Sequence, residues 1–78
     1  MATTTGSMTA SNVPYERAIA RAAAAYCEAL VAAGSGRAAR DAMARFGNWA
    51  SRAAHLGGMS EAEAQARAKT LGLAEYAE

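Results

Sequence analysis

The chain has 78 residues, a formal net charge of +1, and 24 alanines among its apolar residues. One cysteine excludes a disulfide framework, and no run of 18 apolar residues occurs, which excludes a transmembrane helix; the net charge is uninformative, and its distribution says more. The start, Met1 to Asn12, lacks both the basic region and the apolar stretch of a signal peptide. With a single thiol, this places the expected location in the cytoplasm.

A chain of this length is one domain and buries only about 60–65% of its unfolded surface. Its larger apolar side chains are few: Val13, Tyr15, Ile19, Tyr26, Leu30, Val31, Met43, Phe46, Trp49, Leu56, Met59, Leu71, Leu73 and Tyr76. Each contributes about 1.5–3 kcal/mol when fully buried, against an ordering entropy of similar total size. A core so thin usually needs a staple. Without a disulfide or a metal cluster, association with a partner or with a second copy is the remaining route.

Residues 1–12 (MATTTGSMTASN) are rich in Thr, Ser, Ala and Gly and read as a disordered tail. Helix signals begin at Asn12-Val13-Pro14, with a cap at Asn12 or Val13, Pro14 in the first turn and Glu16 at the positive end of the dipole. The first helix is predicted over about 14–33. Gly34 suits the left-handed residue that ends it. Tyr15, Ile19, Ala22 or Ala23, Tyr26, Leu30 and Ala33 repeat at steps of three and four and form its expected buried face. A strip of Ala20, Ala23, Ala24, Cys27 and Val31 lies beside that face.

Ser35 is the expected cap of a second helix over about 36–56, and a connection this short makes the two helices antiparallel neighbours. Its predicted apolar stripe is Ala42, Met43, Phe46, Trp49, Ala50, Ala53 and Leu56. Gly47 marks either a close approach to helix one or a weak kink. Gly57-Gly58 ends this helix. Ser60-Glu61-Ala62-Glu63 is a capping box that opens a third helix over about 61–71, with Gly72 as its expected C′ residue and Leu73 and Tyr76 folding back. The alternation in EAEAQARAK formally suggests a strand, but Ala, Glu, Gln, Arg and Lys are strong helix formers and poor strand formers. The fold class is therefore all-α: an antiparallel hairpin with a shorter third helix, a three-helix bundle suited to dimerisation.

Catalytic chemistry finds little to use. His55 and Cys27 are the single residues of their types, placed near the far ends of two antiparallel helices, so a thiol–imidazole dyad is not expected. One His and one Cys cannot build a four-ligand zinc site. Neither Gly34-Ser35-Gly36 nor Gly57-Gly58 has the strand context of a phosphate loop. The expectation is a non-enzyme without cofactor or metal.

Charge is unevenly distributed. Arg37, Arg40, Arg45 and Arg52 stand against Asp41 in the middle, and Glu61, Glu63, Glu75 and Glu78 against Arg67 and Lys69 at the end. The four middle arginines form the candidate binding ridge of helix two. It is able to track phosphates or to meet an acidic protein surface; a solvated helix face is the plainer reading. Trp49, with Phe46 and Met43, is the second candidate, because such residues dominate binding hot spots; here the plainer reading is core. Glu61 and Glu63 in the first turn of helix three argue against a helix-turn-helix reader.

The overall layout is a short chain with a Thr/Ser/Gly-rich start, an Ala/Arg-rich helical hairpin and an acidic last helix. In this it resembles the small proteins of phages and mobile elements, among them the anti-CRISPR inhibitors. The resemblance covers the whole chain and rests on no single motif. It implies stoichiometric binding that covers a nucleic-acid or subunit surface of a host defence complex. The expected partner is a protein. Nucleic acid bound along the arginine ridge and self-association as a homodimer are the alternatives, and no membrane partner is expected.

Overall fold

The computed structural model describes the backbone from Ala2 to Glu78 and the side chains from Pro14 onward. It contains three helices, α1 (Ala2–Val31), α2 (Gly36–Gly57) and α3 (Glu61–Ala77), and each packs against the other two. The tail expected over 1–12 and the cap at Asn12 or Val13 fall outside the residues whose side chains are described. Pro14 lies within α1.

α1 and α2 each stop where the sequence supplies a glycine. After Val31 the chain turns through Ala32, Ala33 and Gly34, whose φ of +98° is the left-handed conformation that suits glycine. Ser35 precedes α2, but its side chain makes no capping hydrogen bond. Gly58 closes α2 at φ +66°, and both its amide and that of Met59 donate to the Ala54 carbonyl. At α3 only half of the expected box forms. The Ser60 hydroxyl accepts from the Glu63 amide at 3.1 Å, while the Glu63 carboxylate turns outward to Arg67 at 3.2 Å.

The core is built of alanine. Among the buried apolar residues whose side chains are described, only Ile19 and Phe46 are not alanines. One cluster joins Ala18, Ile19, Ala53, Ala54 and Ala64, with Tyr15, Trp49 and Met59 packed against it. A second joins Ala22, Ala25, Phe46, Ala50 and Ala68, with Tyr26 and Trp49 against it. Ile19 meeting Ala53 and Ala54 while Ala25 meets Phe46 is the antiparallel register of a hairpin. The Tyr26 and Phe46 rings sit 5.3 Å apart and tilted by 45°, a favoured arrangement for an aromatic pair.

This core corrects several expectations. Val31, Met43, Leu56, Leu71, Leu73 and Tyr76 are exposed, at 71, 41, 45, 48, 50 and 52%. Tyr15, Tyr26, Leu30, Trp49 and Met59 are half-buried. On α1 the buried face is Ala18, Ala22, Ala25 and Ala29 with Ile19 and Ala23, so Ala20, Ala24 and Ala33 point outward. The physical reason is close approach. Methyl side chains let helices pack at the short end of the usual 8–10 Å separation, which leaves no interior volume for larger groups.

Gly72 shows how close the helices come. It does not end α3, which runs on to Ala77. A methyl group at Gly72 would lie 2.8 Å from the Ala23 carbonyl oxygen and 3.0 Å from the Tyr26 ring, so the glycine serves a helix–helix contact rather than a cap. Gly47 does the reverse: nothing lies within 4 Å of a methyl group there, and it permits no close approach.

Candidate binding surface

The hairpin register brings together residues far apart in sequence. Arg17 and Arg21, one turn apart on α1, face Arg52 and Trp49, three apart on α2. With Pro14 and Leu56 they line an open groove of about 350 Å³. Trp49 forms its floor, half-buried because its inner edge packs on both core clusters. The Arg21 guanidinium carbon lies 5.0 Å from the indole centroid and that of Arg52 lies 5.9 Å away, within the range of a cation–π contact.

No carboxylate neutralises these cations. The ion pairs among the described residues are Arg45 with Glu28 and Arg67 with Glu63, so Arg17, Arg21 and Arg52 are without one. Guanidinium groups stay charged at any physiological pH, and the groove therefore presents three positive charges beside the apolar faces of Trp49, Leu56 and Pro14.

The candidate ridge of α2 is divided by these contacts. Arg45 reaches across to Glu28 on α1 rather than to the acidic third helix. Arg52 lies over Trp49. Arg37 shares a shallow depression with Ser35 and Asp41 near the hairpin turn, and Arg40 is exposed. Of the five residues singled out from sequence, the structure brings Arg52 and Trp49 into one site. Arg17, Arg21 and Leu56 were missed. The signal was available in the antiparallel register, which places the start of α1 beside the end of α2.

At the opposite end, a wider groove of about 840 Å³ opens beside the α1–α2 turn, where Val31, Asp41, Arg45, Glu75 and Glu78 meet. Cys27 is half-buried in its wall, and His55 is exposed. Among the described residues no three His, Cys, Asp or Glu side chains come together as metal ligands. No described helix is long and apolar enough to cross a membrane.

A third contact fixes α3 to α1. Arg67 donates to the Tyr15 hydroxyl at 2.9 Å and to Glu63. The hydrogen bond to Tyr15, followed by the charges of Tyr15 and Glu63, holds the guanidinium above its ordinary pKa. Tyr15 also stands over Gly57, and its hydroxyl points at the Met59 sulfur, 4.0 Å away. These contacts close the groove end of the bundle. No protein-family model, curated protein or solved structure matches this chain.

Proposed function

We propose that this protein is a non-enzymatic binding protein that associates stoichiometrically with a protein partner through the groove between α1 and α2. The observation that carries the reading is the tryptophan lining the groove, with two guanidinium groups that lack carboxylates over its ring and exposed Leu56 beside it. Trp and Arg are the residues most enriched among binding hot spots. Exposed apolar side chains beside unpaired cations suit a partner surface that offers both carboxylates and apolar groups. In the setting that the chain's layout suggests, that of a phage or mobile element, the partner is a subunit of a host defence complex and this chain its inhibitor.

Nucleic acid is the weaker occupant of the same groove. The net charge of +1 supplies little long-range attraction to a polyanion, and the indole is covered by guanidinium groups instead of being free for a base. A gel-shift titration separates the two: no shift at low salt supports a protein partner, and a shift that falls steeply with salt supports nucleic acid.

The direct test places a photo-crosslinking amino acid at Leu56 in cells of the source organism, with the exposed Thr70 on α3 as control. A discrete adduct from position 56, absent from 70 and lost with Arg21→Glu and Arg52→Glu, is the expected result. The helical circular-dichroism signal should be unchanged, since both arginines are on the surface. Equal adducts from the two positions, or adducts indifferent to the arginine reversals, refute the reading.

A further inference from the structure

We infer that the groove of one copy also receives the C-terminal turns of α3 from a second copy, in a head-to-tail contact that would compete with the partner. The inference rests on the groove being a docking surface, as proposed above, but not on the partner's identity.

The argument begins with complementarity. Leu71, Glu75 and Glu78 follow one another at steps of four and three, so they share one face of α3. Leu71 is 48% exposed, both glutamates are exposed, and the last turn contains no basic residue. None of the ion pairs among the described residues uses Glu75 or Glu78. The face thus offers an apolar side chain and two uncompensated carboxylates. The groove offers Arg17, Arg21 and Arg52 without carboxylates, beside Leu56 at 45% exposure. Each surface supplies what the other lacks.

Geometry prevents one copy from satisfying itself. The groove lies at the end of the bundle where Ile19, Ala54 and Ala64 meet. Glu75 and Glu78 line the wide groove at the other end, beside Val31 and Ala38 at the α1–α2 turn. The two surfaces belong to different patches of the chain, so their contact is heterologous and joins successive copies. It would also cover part of the apolar surface that the alanine core leaves outside.

The test is sedimentation velocity on the purified full chain, from about 10 µM to about 1 mM, at about 50 and about 500 mM NaCl. The wild-type chain should show a mass rising with concentration, more strongly at low salt. Two charge-reversed chains follow. One carries Arg21→Glu and Arg52→Glu; the other carries Glu75→Arg and Glu78→Arg, changes that favour the helix C-terminus electrostatically. Each alone should associate at least about tenfold more weakly, because like charges then face one another. Mixed in equal amounts, the two should associate again, since each groove regains a complementary helix end.

A wild-type chain that stays monomeric throughout overturns the proposal. So does association that survives both reversals, or a mixture of the two folded variants that remains monomeric. Crosslinking to a partner that persists in a monomeric wild type leaves the partner reading standing and removes only this one. Self-association without any crosslinked partner does the opposite.

Discussion

Substitution of Gly72 tests the fold most directly, because helix propensity and packing predict opposite signs there. Inside an exposed helix, Gly→Ala stabilises by about 0.8–1.0 kcal/mol. At Gly72 the new methyl group would lie 2.8 Å from the Ala23 carbonyl oxygen, 3.0 Å from Tyr26 Cδ2 and 3.1 Å from Tyr26 Cβ. The first contact is with backbone held inside α1, which cannot swing aside. Overpacking of this kind costs about 1–3 kcal/mol. Subtracting the propensity gain leaves Gly72→Ala destabilising by about 1 kcal/mol, a fall in Tm of about 4–8 °C for a domain of this size.

Gly47→Ala is the control. It lies in α2 with nothing within 4 Å of the new methyl group, so only propensity acts, and the Tm should rise by a similar amount. Thermal and urea denaturation followed by circular dichroism measures both. A third variant separates contact from cap. If Gly72 were a left-handed cap, Asn would be the better replacement, since it tolerates that conformation. If Gly72 is a contact, Gly72→Asn adds more volume at the same place and must be worse than Gly72→Ala. A Gly72→Ala chain as stable as the Gly47→Ala chain, or a Gly72→Asn chain more stable than Gly72→Ala, would refute the packing of α3 on α1 described above.

Other outcomes follow from the same structure. Ser60→Ala removes the hydroxyl that accepts from the Glu63 amide and should cost about 1 kcal/mol, read as a lower urea midpoint. Phe46→Ala should cost about 3–5 kcal/mol, a large share of the roughly 4–12 kcal/mol that a domain of this size holds in total, and far-UV circular dichroism should show a Tm lowered by more than about 10 °C. Tyr15→Phe removes the phenol that accepts from Arg67. Because the Arg67 pKa is raised on folding, its contribution is fully present below the ordinary guanidinium range and lost only as pH climbs through the raised value; the stability difference between wild type and Tyr15→Phe should therefore stay constant from about pH 5 to pH 8. Replacing Trp49 with Phe keeps an aromatic floor but weakens the cation–π contact, and should weaken partner crosslinking from Leu56 by less than the double arginine reversal does.

The sequence made the helices legible because their signals are local. Ser60 before Glu63, glycines at 34 and 57–58, and long runs of strong helix formers each report on a few neighbouring residues. The pairing of α1 with α2 followed from the short connection. What stayed hidden depends on distance between helix axes, which no local pattern states. Periodicity did find Ala22, Ala42, Phe46, Ala50 and Ala53, which are buried, but it also selected Leu56 and Met43, which are exposed, and it did not find Ala18, Ala25, Ala64 and Ala68. Gly72 misled for the same reason: in sequence a glycine near a helix end looks like a cap, and only the neighbouring helix shows it to be a contact.

That inversion of inside and outside is what connects the fold to the proposed function. In a larger domain, an exposed leucine is ordinary, because much of any protein surface is apolar. Here the chain has few large apolar side chains, and among the described residues six of them are exposed while alanine holds the bundle together. Among the described residues, a core whose larger side chains are Ile19 and Phe46 gains less burial than one that also enclosed the exposed leucines, methionine and tyrosine. A chain that keeps leucine, methionine and tyrosine on its surface forgoes the stability that their burial supplies, and the proposed partner would cover Leu56 among them. The same step brings further residues to the candidate site beside Arg52 and Trp49. Arg17 and Arg21 look balanced by Glu16 and Glu28 along the sequence, yet the fold turns them toward Trp49 and Arg52 and sends Glu28 to Arg45. The groove exists because the hairpin register brings Arg17 and Arg21 of α1 to Arg52 of α2, around the one tryptophan in the molecule.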